Sequence, residues 1–384
     1  RVHCPMNVRA LALQAKKYPD IDMPTAITQI AGRQVAAEKI PSWREMEEIW
    51  YPKHLSLEQC SSEITARYKA RLSQGDSLTD LTGGFGIDCS FLATGFKSAT
   101  YVERQEELCE IAAHNFPILH LNHINVRNED GVAYLQTMSP VDCIFLDPAR
   151  RNEHGGKTVS IADCEPNVAE LEDLLLSKAS RIMIKLSPML DLSLALKELK
   201  HTQEVHILSV NNECKELLIL LGQTSPAEIT IHCVNLFTKG TQEEQHFVFT
   251  REQEQRSQCT YTDSLGDYLY EPNASLLKAG AFRSIAAAYP VRKLHPNSHL
   301  YTSDTFIENF PGRIFRIVNQ CSFNKKEVKE NLADLKKANV TVRNFPATVA
   351  ELRKRLHLTE GGDTYLFAST LNNGQKVIIR CEKV

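Results

Sequence analysis

From residue 75 onward, short apolar runs alternate with amphipathic stretches, which predicts strands separated by helices on a parallel sheet. The runs are Ser77–Leu81, Ala99–Val102, Ile124–Val126, Cys143–Leu146 (opened by Val141), Arg181–Ile184, Val205–Val210 and Leu217–Leu221. Between the fourth and fifth, Asn167 to Lys178 sets Val168, Leu171, Leu174 and Leu175 on one helical face. Only Asn211 to Glu216 joins the last two runs, too short for a helix, so the final strand is expected to be antiparallel. Upstream, Thr25 to Lys39 carries Ile27, Ile30, Ala31 and Val35 at helical spacing, and Pro41 is expected to end that helix. Leu57 to Leu72 reads as a second helix running into the first strand. Residues 225–262 read as a β-hairpin extension closed by a charged loop, Arg251–Arg256. Asn273 to Ala288 reads as one helix among loops marked by Pro290, Pro296 and Pro311.

From Gly312 the order is strand, helix, strand, helix, strand, strand. Asn324 with Glu327 and Thr348 with Glu351 have capping-box spacing, opening helices Lys325–Ala338 and Val349–Leu356. Asn373-Gly374 predicts a type I′ hairpin between Tyr365–Thr370 and Lys376–Cys381.

Composition narrows the class. The chain is too long, at 384 residues, for one compact domain, and its 42% hydrophobic and 24% charged content is that of a soluble globular protein. No apolar run approaches a membrane span, and the first thirty residues hold no apolar signal core. The first residue is Arg, so the natural chain is expected to extend a few residues further. The cysteines, scattered from Cys4 to Cys381 with no Cys-x-x-Cys, read as reduced cytosolic thiols rather than disulfides or zinc, and no metal site is expected.

The candidate chemistry sits at the predicted strand ends. Asp80-Leu81-Thr82-Gly83-Gly84-Phe85-Gly86-Ile87-Asp88 is a strand running into a glycine turn that opens a helix. Glycines there let backbone approach a ligand, and the free N–H groups of the helix start favour an acceptor. Glu103 ends the next strand, where an acid suits a ribose, or simply sits at a helix start. Asp147-Pro148-Ala149-Arg150 ends the fourth strand and Lys185-Leu186-Ser187-Pro188 the fifth. All these lie at carboxyl ends, where open parallel sheets bind ligands. Gly84-x-Gly86-x-x-Cys89 places a cysteine where the dinucleotide fingerprint has its third glycine, which counts against NAD. Asp130 reads equally as a ligand or as the cap of the helix after it, and Asp88 as a helix-start charge. Lys185 reads as a phosphate or base contact, or as a strand-end lysine reaching solvent. Arg150 to Lys157, with His154-Gly155-Gly156, reads as a mobile lid or an ordinary exposed loop. Gln59, Ser61, Ser62, Thr65 and Lys69 lie on the helix entering the first strand, near the same region, and none of them is singled out as a site residue.

On these motifs, residues 75–222 resemble a class I S-adenosylmethionine (SAM)-dependent methyltransferase. The whole chain is similar to bacterial methyltransferases with a small ferredoxin-like segment and a C-terminal THUMP-like domain. The resemblance implies an α/β fold: an N-terminal helical region (1–74), a Rossmann-like methyltransferase sheet (75–262), a ferredoxin-like linking segment (263–311) and a small α+β THUMP-like domain (312–384). It also implies SAM as cofactor. Asp80, Thr82, Gly83, Gly84 and Gly86 would cradle its methionine part, Glu103 hold the ribose and Asp130 accept from the adenine N6. Asp147 and Pro148 would present the target, with Arg150 and Lys185 stacking or holding phosphate. Enzymes acting on exocyclic amines carry a second proline and an aromatic where this chain has Ala149 and Arg150. Uracil-C5 enzymes need a nucleophilic cysteine after strand five, and none is present, which disfavours covalent C5 chemistry.

Between Pro311 and His357, eleven basic residues face four acidic ones, in a chain of net charge −3. This reads as a phosphate-tracking patch or as an ordinary solvated face. The expectation is a cytoplasmic SAM-dependent methyltransferase acting on a nitrogen of structured ribosomal or transfer RNA. The alternatives are methylation of a protein or small molecule, and a non-catalytic RNA-binding protein that keeps SAM as a ligand.

Overall fold

The computed structural model describes residues 8–13, 17, 19–150 and 160–384. The chain forms two compact units: residues 1–203 with 216–226, and residues 204–215 with 227–384.

In the first unit, α1 (Met23–Lys39), α2 (His54–Gln59) and α3 (Glu63–Arg71) precede the sheet. Then follow β1 (Gly75–Asp80), α4 (Ile87–Leu92), β2 (Phe96–Glu103), α5 (Glu106–Ile118), β3 (Ile124–Asn128), α6 (Gly131–Thr137) and β4 (Val141–Leu146). α7 (Val168–Lys178) leads to β5 (Ala179–Leu186) and α8 (Leu192–Glu198). β6 (Thr202–Val210) and β7 (Glu213–Gly222) carry the chain into the second unit and back. The strand order β3-β2-β1-β4-β5-β7 is parallel except for β7, which runs antiparallel to β5 as expected. Leu78, Ala99, Cys143, Phe145, Met183 and Leu220 fill one core cluster of this sheet. The N-terminal helices bury Ile40, Trp43, Tyr51 and Leu57 in another cluster, around Phe85 and Ile87.

The predicted helix over Leu57–Leu72 is two helices. Cys60 and Ser62 are extended, and the break turns the Ser61 hydroxyl inward. Apolar spacing runs across the break, so periodicity alone does not reveal it. Pro41 does end α1, but it also opens one further turn, Pro41–Arg44, because proline is preorganised for a first helical position.

In the second unit, β6 pairs in parallel with β8 (Thr230–Leu236), which forms a hairpin with β9 (Glu244–Thr250). Arg251–Arg256 is a helix (α9), not a loop: Thr250 and Gln253 close a reciprocal capping box. β10 (Tyr268–Pro272), α10 (Ala274–Ala279), α11 (Phe282–Ala288), β11 (Arg292–Lys293) and β12 (Tyr301–Ser303) follow. The predicted helix over Asn273–Ala288 is thus broken, at Gly280, whose φ of +74° ends α10.

β13 (Gly312–Ser322), α12 (Lys325–Leu332), β14 (Asn339–Val342), α13 (Val349–Leu356), β15 (Thr364–Thr370) and β16 (Lys376–Lys383) complete the chain. The strands β11-β12-β10-β13-β16-β15-β14 make one seven-stranded sheet. α12 stops at Leu332, short of Ala338, and Glu327 accepts from the Ser322 N–H rather than closing a box with Asn324. The box at Thr348 and Glu351 is complete. The β15–β16 turn is not type I′. Only Gly374 has positive φ (+85°), and Leu371 donates to Gln375 and accepts from Gly374, a three-residue loop with glycine in the left-handed position. The ten described cysteines are free, and Cys4 lies outside the described residues. No helix among the described residues is long and apolar enough to cross a membrane.

Candidate active site

β1, β2 and β4 bring their carboxyl ends together around the glycine turn. Thr82 stitches two of them: its hydroxyl accepts from the Asp147 N–H at 2.6 Å, and Leu81 N–H donates to the Phe145 carbonyl at 3.0 Å. Gly83 N–H donates to the Val102 carbonyl at 2.9 Å. A Cβ on Gly83 would lie 2.3 Å from the Tyr101 ring, whose hydroxyl donates to the Gly84 carbonyl at 2.5 Å. So Gly83 is glycine because an aromatic ring occupies the place of its side chain. Gly86 caps α4 with φ +85°, a left-handed conformation that suits glycine.

Glu103 is buried at the end of β2. Its Oε2 accepts from Gly84 N–H and its Oε1 from Gln105 N–H, both at 2.9 Å. Beyond Gly84, at φ +54°, the nearest atom to an added Cβ is the Thr82 carbonyl at 3.8 Å. The turn therefore has a roomy side, flanked by a carboxylate with spare lone pairs. That is the donor and acceptor set a ribose and an amino-acid moiety need, and these residues fit SAM. Asp80 is buried, and its Oδ1 accepts from Thr82 N–H at 2.9 Å. Burial pushes its carboxyl well above the ordinary 3.8; the Thr82 N–H opposes this, while the charges of Asp88, Asp147 and Glu103 add to it. Asp130 caps α6, its Oδ1 accepting from Val132 and Ala133 N–H at 3.0 Å.

Asp147 is half-buried and forms a close hydrogen-bonded ion pair with Lys185 from the end of β5. Lys185 is not a strand-end lysine reaching solvent: its side chain is 11% exposed and points back to Asp147. Burial would lower it, but Asp147, Asp88 and Glu216 hold it above its ordinary value. Burial raises the Asp147 carboxyl, with Lys185 pulling the other way. Pro148 is buried. Ala149–Arg150 pairs with Cys164–Glu165 in a two-residue ladder, the Arg150 side chain is outside the described part, and so are Arg151 to Lys157 of the expected lid.

Sequence reasoning undervalued a buried chain of charges behind this pair. Asp88, expected to be a helix-start charge, is buried with its Oδ2 3.8 Å from Lys185 Nζ and its Oδ1 3.0 Å from Lys69 Nζ. Lys69 is fully buried and donates to Glu216 at 2.6 Å and to Ser61 at 3.1 Å; Ser61 donates to Asp88 at 2.6 Å. Burial alone would raise Asp88, but Lys69, Lys185 and Ser61 hold it below 3.8. The signal available in the sequence was Lys69 itself, a lysine on the apolar face of a helix. Its partner Glu216, at the far end of the unit's sequence, gave none.

The eleven basic residues of the C-terminal stretch divide. Arg313 and Arg343 both grip Glu271, which is 2% exposed. Arg316 pairs with Glu382 and Arg353 with Glu360. Arg355 lies over the Phe323 ring at 4.9 Å. Lys325, Lys326, Lys329, Lys336, Lys337 and Lys354 are exposed.

Two family models match: a ferredoxin-like domain over residues 268–311 and a THUMP domain-like family over residues 312–383. Among solved structures, a candidate methyltransferase from Porphyromonas gingivalis W83 is 36% identical over 98% of each chain, with a TM-score of 0.86. Two others cover part of the chain only. An rRNA methylase from Streptococcus thermophilus shares 14% identity over 41% of this chain and 94% of its own, at TM-score 0.31. TrmK from M. capricolum, solved with S-adenosylhomocysteine, shares 13% over 42% and 68%, at 0.33. No curated protein matches.

Proposed function

The chain belongs to the family of the Porphyromonas gingivalis candidate methyltransferase, and on that premise we propose that it transfers a methyl group from SAM to a nitrogen of a base in structured ribosomal or transfer RNA. The observation that carries this reading is the Asp147–Lys185 pair hydrogen-bonded through Asp147 N–H to the glycine turn. It sets a carboxylate for the target beside a cradle for the methyl donor. Bound SAM supplies an electrophilic methyl on its sulfonium, so the protein's task is alignment and exclusion of water.

Asp80, Thr82, Gly83, Gly84 and Gly86 form the cradle, and Glu103 holds a diol. Asp130 offers its second carboxylate oxygen to an amine while the first caps α6. Asp147 accepts a hydrogen bond from the target amine, orienting its lone pair and drawing on its proton. Lys185 fixes the rotamer of Asp147 and favours its charged form. Pro148 shapes the floor, and Arg150 holds phosphate or stacks on the base. The THUMP-like match and the exposed lysines of residues 325–354 support RNA as the substrate. SAM calorimetry tests the cradle: micromolar binding in the wild type that is lost in Glu103→Ala is expected, and equal binding in both refutes it.

One observation favours a second reading, transfer to a protein or small molecule. Arg313 and Arg343 are spent on the buried Glu271, and Arg316 and Arg353 pair with the exposed Glu382 and Glu360, so less unpaired positive charge remains than the sequence count implies. RNA affinity that does not change with salt, or is absent, would select that reading.

A further inference from the structure

Four residues that the methyl-transfer reading does not use share one face of the second unit's three-stranded ribbon. Glu204 and His206 are two apart on β6, so their side chains point the same way. His232 on β8 is the Cα partner of His206. His246 on β9 is two residues from Val248, the Cα partner of His232, and completes the face. His206 is 2% exposed, Glu204 and His232 are half-buried, and His246 lies at the solvent side. His206 Nε2 is 3.2 Å from Glu204 Oε2, and the His206 and His232 rings stack at 4.2 Å. One ligand atom from each of Glu204, His206 and His232 lies within 4.8 Å of the other two.

We propose that Glu204, His206 and His232 bind a divalent transition ion of the zinc class, with His246 orienting His232. Two imidazoles and one carboxylate suit zinc, cobalt or nickel; calcium and magnesium want more oxygens. Bonds of about 2.0–2.2 Å place tetrahedral ligand atoms roughly 3.3 Å apart, the spacing Glu204 and His206 already have. A metal-bound imidazole is held in its tautomer by a partner on its other nitrogen, and His232 Nδ1 stands 3.0 Å from His246 Nε2. The cluster lies toward the amino-terminal ends of the parallel strands β6 and β8. Ligand chemistry in parallel sheets belongs to the carboxyl ends, so the ion's role is to tie β6 to β8.

The rival is an ion-free stack of hydrogen-bonded imidazoles. Tag-free, chelator-treated full-length protein titrated with zinc by calorimetry, and with cobalt by visible absorption, separates the two. Expected are one ion per chain, a tetrahedral cobalt spectrum and a zinc-dependent rise in melting temperature. His246→Gln should weaken binding about 10- to 100-fold, and His232→Asn more than that. If His232→Asn fails to fold by circular dichroism, Glu204→Gln carries the test with the same expectation of weakened binding. The proposal is overturned if zinc and cobalt do not saturate at one site. It is equally overturned if a folded His232→Asn or Glu204→Gln binds them as the wild type does.

Discussion

Lys69 shows most directly how a single residue ties fold to site. Its ammonium is fully buried between Asp88 and Glu216, and breaking a buried pair by removing one partner costs about 3–5 kcal/mol. Lys69→Ala is therefore expected to lower unfolding stability by that order in urea titration, more than any exposed lysine of α12. Asp88 gives the pH dependence. Its folded value lies below 3.8, so its charged form stabilises the fold above that pH, and the contribution is lost as pH falls through the depressed value. Stability measured from pH 6 downward should show this acid limb in the wild type and a shallower one in Asp88→Asn; parallel curves would contradict it. Gly83→Ala drives a methyl into the Tyr101 ring and should cost about 1–3 kcal/mol by thermal unfolding. At this scale the sequence was legible where backbone dictates the residue. The glycines, Glu103 and Asp147 all stand at strand ends as their motif order implied. Asp88 and Lys69 were less so, because burial depends on partners distant in sequence.

Elements were legible where periodicity and end signals agree. β1 to β7, α7 and the antiparallel turn of β7 follow from apolar runs and connection length alone. The misreadings share a cause: helices joined across Cys60–Ser62 and Gly280 because apolar spacing continues through a backbone break. α9 went unread although Thr250-x-x-Gln253 carries the capping-box spacing, since none of its residues is buried. The β15–β16 loop reads as type I′ only if Asn373 joins Gly374 at positive φ, and it does not. Thr348→Ala removes a closed capping box and should cost about 0.5–2 kcal/mol, measurable as a lower urea midpoint.

Across the whole molecule, the ferredoxin-like and THUMP-like stretches share one seven-stranded sheet, with β13 paired to β10 on one side and β16 on the other. Truncation after Pro311 would strip four of those strands and bare the edge of β10, so the fragment should aggregate rather than report on substrate. Charge substitution is the cleaner probe. Replacing Lys325, Lys326 and Lys329 with glutamine should weaken RNA binding and flatten its salt dependence, by a slope of about 0.7–0.9 for each phosphate no longer neutralised. Such lysines mark a surface but not a partner, which is why composition left the substrate open. The most direct measurement is transfer of labelled methyl from SAM to total RNA by wild type and Asp147→Asn, with SAM affinity measured alongside. Label in RNA, turnover reduced about 100- to 10,000-fold in Asp147→Asn and unchanged SAM affinity are predicted. Equal transfer by the two proteins, or label that appears only in protein or small molecules, would contradict the account.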